Sequence, residues 1–409
     1  MWQPYRRFEN PLPYLLSQER HCYTGQCMTT PVRIPFNRAT LVGKEMAYLT
    51  QVVEHGQLAG NGPWTNAAEQ LLQEALSRNP TLLTTSCTSA LEVIALSLGL
   101  TSGDEVIVPS FTYVSSAAAF SAHGARPIFV DIRPDTLNID EQMISAAISQ
   151  RTKAICVTHY GGVACNMDVI GPLAAEHGIV VVEDNAHGLF GSYRGVPLGS
   201  IGDFAALSFH ATKNFTSGQG GALVVNRPGS LENIRMIRDN GTNRSAFERG
   251  EVSAYTWTTQ GINALPSELI AAVVLAQLEQ RIKIQERRSQ LWNRYESQLA
   301  QWANEHGVEM PTVPPECESS HHLFHLILSD QSCRERFITH LNNYGITAVS
   351  HYEPLHNSPV GSGFGAKQGQ CPVAENRARR LVRLPLFYDL SDDEQAVVVD
   401  AVISFNSFS

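Results

Sequence analysis

Seven short apolar segments, most of them rich in β-branched residues, recur along residues 82–226, and this recurrence constrains the fold more than any other feature. The segments are 82–85, 105–108, 127–132, 154–158, 179–183, 204–208 and 222–226. Helical patterns lie between several of them, at 89–98, 140–148 and 170–177. Strands that alternate with helices are typical of an α/β fold in which helices cover both faces of the sheet. We therefore predict a large, mostly parallel, seven-stranded sheet.

The pattern changes after residue 226 and predicts a second, smaller α+β domain. Helices are predicted at 267–299, at 334–344 and from Ser391 onward, with short strands at 322–328 and 347–351. Two domains are the expectation for 409 residues. We place the large domain at 33–277 and the small domain at 278–409. Residues 1–32 have no periodicity and are predicted to be an extension outside the fold.

Composition and charge argue against several classes of partner. The net charge of −9 argues against a nucleic-acid or anionic-membrane surface. The sequence contains no run of 18 apolar residues, so no transmembrane helix is expected. The charged N-terminus is not followed by an apolar segment, so no signal peptide is expected. The eight cysteines are scattered without a C-x-x-C pair, which favours reduced thiols in a cytoplasmic protein. No metal site is predicted; the nearest grouping of ligand types is His21, Cys22 and Cys27.

A single lysine follows the apolar segment 204–208, at Lys213. A lysine at the end of a buried strand loses its proton more easily, because desolvation disfavours the ammonium form. A neutral amine is what Schiff-base formation with an aldehyde requires. The alternative is an ordinary surface lysine in a loop.

Three further strand ends carry residues suited to ligand binding, since ligands of open α/β sheets collect beyond the carboxyl ends of the strands. Residues 86–91 form a small polar turn that opens a helix, which predicts either a phosphate cradle or a plain N-cap. Tyr113 is placed to stack on a flat heterocycle or to join the core. Asp184 ends an apolar strand and needs a cationic partner, either a protonated pyridine nitrogen or a side chain.

Together these strand ends supply what pyridoxal 5′-phosphate (PLP) needs. The cofactor requires a phosphate anchor, a group that stacks on its ring, a carboxylate for its pyridine nitrogen and an amine for its aldehyde. The joint pattern is more specific than any one of its members, and it predicts a PLP site.

From Ile34 to Phe405 the chain resembles the DegT/DnrJ/EryC1/StrS sugar aminotransferases. The matching segments are Ser-Cys-Thr-Ser-Ala-Leu (86–91), Gly-Asp-Glu-Val-Ile-Val-Pro-Ser-Phe-Thr-Tyr (103–113), Phe-Val-Asp-Ile (129–132), His-Tyr-Gly (159–161), Val-Glu-Asp-Asn-Ala-His-Gly (182–188), Ser-Phe-His-Ala-Thr-Lys-Asn (208–214) and His-Tyr-Glu-Pro-Leu-His (351–356). The resemblance implies the type I, aspartate aminotransferase-like fold of PLP-dependent transferases.

The resemblance also implies a role for each matching residue. Lys213 is expected to form the Schiff base with PLP and then to move the proton during transamination. Asp184 is expected to keep the pyridine nitrogen protonated. The other expected cofactor contacts are Thr88, the Cys87 backbone and Ser208 at the phosphate, Tyr113 on the ring, His187 near the ring substituents, and Asn263 at the phosphate of a neighbouring subunit. Asn263 therefore implies a homodimer with shared active sites.

Four positions depart from the family pattern. Cys87 stands where the family usually has glycine, and a cysteine would be strained there if the turn needed a positive φ. Asn185, Gln219 and Leu265 replace a usual alanine, glutamate and arginine, respectively. These last three positions bear on the substrate rather than on the cofactor.

The expected substrates are L-glutamate and a nucleotide-linked keto sugar. Segments 129–141, 162–168, 210–216 and 241–245 resemble a subgroup that converts dTDP-4-keto-6-deoxy-D-glucose to dTDP-4-amino-4,6-dideoxy-D-galactose. A 3-keto sugar nucleotide or a cyclitol ketone is an alternative acceptor. An alternative of another class is a PLP-binding regulatory protein without turnover, against which the presence of both Lys213 and Asp184 argues.

Overall fold

A computed structural model describes residues 33–407 of the chain. The predicted extension 1–32, including the grouping of His21, Cys22 and Cys27, lies outside the described residues. The helices are α1 (Glu45–His55), α2 (Pro63–Ala75), α3 (Cys87–Ser97), α4 (Ser115–Ser121), α5 (Glu141–Ala147), α6 (Met167–Glu176), α7 (Leu231–Arg238), α8 (Arg244–Glu248), α9 (Glu268–Glu279), α10 (Arg281–His306), α11 (Gln331–Asn343), α12 (Pro359–Gly363), α13 (Pro372–Arg380) and α14 (Asp392–Ile403). The strands are β1 (Thr81–Thr84), β2 (Glu105–Pro109), β3 (Arg126–Val130), β4 (Thr152–Thr158), β5 (Val180–Asp184), β6 (Ser192–Tyr193), β7 (Val196–Pro197), β8 (Phe204–Ser208), β9 (Gly221–Val225), β10 (Cys317–Glu318), β11 (Phe324–Ile327) and β12 (Leu381–Leu384).

The predicted seven-stranded sheet is confirmed, with strand order β1-β9-β8-β5-β4-β2-β3. Strand β9 is antiparallel to both of its neighbours, β1 and β8, and the remaining neighbours pair in parallel. The other six strands therefore all point the same way. Their carboxyl ends meet at one edge of the sheet, which is where open α/β sheets bind ligands.

The continuous apolar runs of the central strands follow from burial on both faces. In β5, Val180 and Val182 join one hydrophobic cluster with α3, whereas Val181 joins a second cluster with α6. A strand covered on both faces shows no polar alternation, as parallel strands between two helical layers require.

The C-terminal part contains a separate two-stranded sheet in which β11 and β12 pair antiparallel. A hydrophobic cluster of its own packs α10, α11 and α14 against these strands. The predicted domain boundary after residue 277 falls within α9. The division into 33–277 and 278–409 stays a prediction.

Two predictions for the C-terminal part are wrong. The predicted helix at 267–299 is two helices, because the chain turns at Gln280, between a mostly buried α9 and an amphipathic α10. No glycine or proline marks this turn; the only signal is the change from an apolar to a charged sequence. The predicted strand at 347–351 is one isolated bridge between Val349 and Arg383, and β12 itself was not predicted.

Two further features of the described residues concern membranes and metals. Within residues 33–407 no helix is both long and apolar enough to cross a membrane. The same residues contain no group of three or more His, Cys, Asp or Glu side chains arranged to hold a metal ion.

Candidate active site

A cavity of about 500 Å³ lies at the carboxyl edge of the large sheet. Five strand ends contribute to its wall: the residues are Ser86, Cys87 and Thr88 after β1, Thr112, Tyr113 and Ser115 after β2, Thr158 of β4, Asp184, Ala186 and His187 from β5 onward, and Ser208, His210, Thr212 and Lys213 from β8 onward. The sheet topology thus brings together residues that are more than 120 positions apart in the sequence.

Asp184 is a buried carboxylate without a cationic side chain beside it. It is the last residue of β5 and lies between Thr158 of β4 and Ala206 of β8. Its oxygens accept hydrogen bonds from the Ser116 hydroxyl and from the Ala186 backbone N–H at 3.2 Å. Among the described residues it forms no ion pair, so a positively charged atom of a ligand is the partner it lacks.

Lys213 lies in a loop that is fixed from two sides. Its backbone N–H donates to the His210 carbonyl at 2.9 Å. Asn37 donates from its side chain to the Ala211 carbonyl at 2.9 Å, and Asn214 donates to the Ser320 carbonyl at 2.8 Å. The Lys213 amine has no hydrogen-bond or ion-pair partner in residues 33–407. Burial lowers the pKa of Lys213 to about 8, which favours the neutral amine.

The N-terminus of α3 forms a cradle for an anion. Ser86 is the N-cap, and its hydroxyl accepts from the Ser89 N–H at 3.0 Å, while the N–H groups of Cys87 and Thr88 have no partner within the described residues. Gly221 permits this arrangement, since a Cβ there would come within 2.4 Å of the Cys87 nitrogen. Free N–H groups at a helix N-terminus bind phosphate.

Three more of the predicted site residues line the cavity and one does not. Ser208 ends β8, Tyr113 is mostly exposed at the cavity wall, and His187 is buried. Burial lowers the pKa of His187 well below its ordinary value, so the imidazole is neutral. Asn263 is exposed and lies outside the cavity of its own chain.

The second wall of the cavity was not predicted as part of the site. It contains His322 before β11, His351 and Tyr352 in the loop after α11, and Arg383 of β12. His322 stacks on His187 with ring centroids 4.2 Å apart, and the Tyr352 hydroxyl lies 3.5 Å from His187 Nε2. The only sequence signal for this wall was the segment 351–356 in the family resemblance.

Two of the four departures from the family pattern line the cavity, and two do not. Cys87 and Gln219 line the cavity, whereas Asn185 and Leu265 do not. Cys87 occupies the first position of α3 and its φ is not positive, so a side chain causes no backbone strain there. Burial raises the pKa of the Cys87 thiol well above its ordinary value, which keeps it protonated.

These features fit PLP. The Asp184 carboxylate forms no ion pair within the described residues, the α3 cradle has free N–H groups, and the amine of the half-buried Lys213 has no partner there. Each unmet contact corresponds to one group of the cofactor: the pyridine nitrogen, the phosphate and the aldehyde.

Comparison with known proteins decides the family. Residues 40–403 match the model of the DegT/DnrJ/EryC1/StrS aminotransferase family. The chain belongs to the DegT/DnrJ/EryC1/StrS aminotransferase family. The predicted enzyme class, a PLP-dependent aminotransferase, and the predicted cofactor are thereby confirmed.

Individual relatives agree with this assignment. The chain is 33% identical over 377 residues to the spore coat polysaccharide biosynthesis protein SpsC of Bacillus subtilis strain 168, covering 90% of this chain and 96% of that protein. It is 31% identical over 318 residues to a pleiotropic regulatory protein of Geobacillus stearothermophilus, covering 77% and 82%, respectively. The putative sugar aminotransferase Spr1654 of Streptococcus pneumoniae in its PMP form superposes with a TM-score of 0.85 at 27% identity, covering 91% of this chain and 98% of that one.

Proposed function

We propose that this aminotransferase moves the amino group of L-glutamate to the keto carbon of a nucleotide-linked keto-deoxysugar. The specific reaction we propose converts dTDP-4-keto-6-deoxy-D-glucose to dTDP-4-amino-4,6-dideoxy-D-galactose. The observation that carries the proposal is one cavity lined by both a half-buried, unpartnered lysine and a buried carboxylate that forms no ion pair within the described residues. The names of SpsC and Spr1654 support a sugar as acceptor.

The roles of the residues follow from their surroundings. Bound PLP supplies an aldehyde for amine exchange and an aromatic ring that accepts electron density when a proton leaves the substrate carbon. Asp184, oriented by Ser116 and the Ala186 N–H, would hold the proton on the pyridine nitrogen. The Lys213 amine would bind the cofactor and move the proton at the substrate carbon, because its pKa of about 8 increases the neutral fraction of the amine.

The remaining predicted contacts hold the cofactor in place. The N–H groups of Cys87 and Thr88, together with the Ser208 hydroxyl, would bind the phosphate. Tyr113 would contact the ring, and the neutral His187 would lie near the ring substituents. The protonated thiol of Cys87 donates a weak hydrogen bond to an Asp184 oxygen at 4.0 Å and places no charge beside the carboxylate.

The proposed assembly is a homodimer in which Asn263 reaches the cofactor phosphate of the neighbouring subunit. Its exposure, away from its own cavity, is compatible with this role. The segment that precedes it exposes Trp257 to 76% and Tyr255 to 58%. Large apolar side chains exposed together favour a protein interface. Sedimentation at micromolar concentration tests this assembly, and a monomer would contradict it.

We propose the cytoplasm as the location. The six cysteines of the described residues are all free thiols, which is the usual state in a reducing compartment.

The test is a reaction with ¹⁵N-labelled L-glutamate and a panel of keto-sugar nucleotides, with the product identified by mass and NMR. The panel includes a 3-keto sugar nucleotide and a cyclitol ketone. We expect ¹⁵N at carbon 4 of the sugar, with the galacto configuration. Transfer to another ketone would replace the proposed acceptor. A PLP-loaded protein that glutamate leaves unchanged would instead favour a regulatory protein, in line with the name of the Geobacillus relative.

A further inference from the structure

Three buried hydroxyls form a chain that ends on Asp184. Ser116, in the first turn of α4, donates to Asp184 Oδ2. The Ser116 oxygen lies 2.8 Å from the hydroxyl of Thr112, which follows β2. The Thr112 hydroxyl lies 2.9 Å from that of Thr158, the last residue of β4. None of the three residues is more than 5% exposed. Side-chain hydrogen bonds therefore connect the ends of β2, β4 and β5.

The chemistry of these groups fixes the direction of the hydrogen bonds. An ionised carboxylate can only accept, so Ser116 donates its one hydroxyl proton to Asp184. The Ser116 oxygen then accepts from Thr112, and Thr112, whose proton is used, accepts from Thr158. All three donors therefore point toward the carboxylate. Hydrogen bonds that run in one direction polarise and strengthen one another.

The three hydroxyls have no other partner that would explain their positions. Within residues 33–407 none of them donates to a backbone carbonyl or accepts from a backbone N–H. Thr112 and Ser116 lie beside the N-terminus of α4, but no side chain caps this helix. A serine or threonine that serves local structure usually bonds to the backbone of its own helix or turn. The surroundings therefore indicate a role toward Asp184.

The chain ends on the less occupied oxygen of Asp184. Oδ1 accepts from the Ala186 N–H and from the Cys87 thiol, whereas Oδ2 accepts only from Ser116 within the described residues. Asp184 lines the cavity and Ser116 does not, so the hydroxyl reaches the carboxylate from the protein interior. Oδ2 thus keeps room for a cation in the cavity.

We propose that Ser116, Thr112 and Thr158 are positioning residues that keep Asp184 charged and oriented for the pyridine nitrogen. This inference rests on the proposed role of Asp184. A donor to a carboxylate favours its charged form. The pyridine nitrogen and the carboxylate share one proton, and the donor chain shifts that proton toward the nitrogen. Without the chain the carboxylate would hold a larger share of the proton, and the ring would accept electron density less readily.

The first experiment observes this proton by solid-state NMR of the protein loaded with PLP that carries ¹⁵N in its ring. The wild-type signal should lie at the position of a protonated pyridine. Ser116→Ala should move the signal toward that of a neutral pyridine. Thr112→Val should move it less, and Thr158→Val least, because the effect weakens along the chain. An unmoved signal in Ser116→Ala, or the reverse order, would overturn the inference.

Thr65→Ala is the matched control, because the buried Thr65 hydroxyl also donates to a buried carboxylate, that of Glu268, outside the cavity. It should lower the free energy of unfolding but leave the ¹⁵N signal unchanged. Thr112→Ser keeps the hydroxyl and should give the wild-type signal. A displaced signal in either variant would show that lost packing moves the proton, and it would contradict the inference.

The second experiment tests whether the hydroxyls act in series. In the half-reaction with L-glutamate, Ser116→Ala should lower the maximal rate about tenfold, as for loss of a hydrogen bond to a charged group. The half-saturating glutamate concentration should stay the same, because Ser116 does not line the cavity. Adding Thr112→Val to Ser116→Ala should have little further effect, since the link to Asp184 is already broken. Additive effects, or a change in the glutamate concentration alone, would overturn the chain.

The NMR measurement separates this inference from the proposed function, because it needs no turnover. If the graded signals appear in a protein that glutamate leaves unchanged, the inference holds and the proposed donor fails. If wild type transfers the amino group but Ser116→Ala gives the wild-type signal, only the inference fails. If the wild-type nitrogen carries no proton, the proposed role of Asp184 fails and the inference fails with it.

Discussion

The two walls of the cavity differ in how the chain builds them. The sheet wall consists of residues at the carboxyl ends of parallel strands, among them Asp184 and Lys213. The C-terminal wall comes from loops and from β12, an antiparallel strand of the small sheet, and it contributes His322, His351 and Arg383. The residues that we propose to hold the cofactor lie on the first wall, and the second wall carries Arg383, which forms no ion pair within the described residues.

In the proposed function, the sheet positions the residues that bind the cofactor, and the elements packed against the sheet position those that bind the substrate. On the sheet wall each functional group lies at, or a few residues after, the end of a strand of the large sheet, which fixes its position. On the C-terminal wall the groups depend on tertiary packing, such as the contact of Arg383 with Phe36. Substitutions on the two walls should therefore fail in different ways.

The largest expected effect is on the sheet wall, at Lys213. Lys213→Arg keeps the positive charge but removes the amine that reacts, so both half-reactions should slow by about 10³-fold or more. Stopped-flow absorbance measures each half-reaction separately. Lys153→Arg, at a half-exposed lysine outside the cavity, is the control. If Lys213→Arg slowed only the half-reaction with the amino donor, Lys213 would act in substrate binding, and the proposed difference between the two walls would be wrong.

Asp184→Asn should give the next largest effect. The amide cannot hold a positive charge on the pyridine nitrogen, so the rate should fall about 10²- to 10³-fold while PLP still binds. Steady-state rates and cofactor titration measure the two quantities. Asp168→Asn, at an exposed aspartate paired with Arg194, should behave as wild type. A near-normal rate for Asp184→Asn would remove this residue from the mechanism.

The pH dependence of the Lys213 amine sharpens the comparison further. A folded-state pKa of about 8, against 10.5 for an ordinary lysine, leaves about 300-fold more neutral amine at pH 7. Only the neutral amine is acetylated, so trace labelling of the cofactor-free protein by acetic anhydride should rise with pH, reach half its maximum near pH 8, and level off about one to two pH units higher. Peptide mass spectrometry gives the curve, with Lys153 in the same digest as reference. Superimposable curves for the two lysines would contradict the buried environment.

The smallest expected effect separates two helix caps. The hydroxyls of Ser86 and Ser391 each accept a backbone hydrogen bond at 3.0 Å, at the start of α3 and α14. Replacing either serine by alanine should lower the free energy of unfolding by about 1 kcal/mol, measured by denaturant titration. Only Ser86→Ala should also weaken PLP binding, because α3 forms the phosphate cradle. Equal PLP affinity in the two variants would show that the Ser86 cap does not contribute to cofactor binding.

The sequence predicts the sheet wall well and the C-terminal wall poorly. All seven strands of the large sheet were predicted, because burial on both faces leaves a continuous apolar signal. Because ligands of open α/β sheets bind beyond the carboxyl ends of the strands, the sequence also predicts that Asp184 and Lys213 share one site. Arg383 carries no such signal, since a lone arginine in a four-residue strand looks like a surface residue. The turn at Gln280 was missed because its residues all favour a helix.

The most direct test of the central claim is borohydride reduction of the PLP-loaded protein, followed by peptide mapping. Reduction fixes the cofactor to whichever amine holds it. We predict a single pyridoxyl group on the peptide that contains Lys213. A pyridoxyl group on any other lysine, or none at all, would contradict the account.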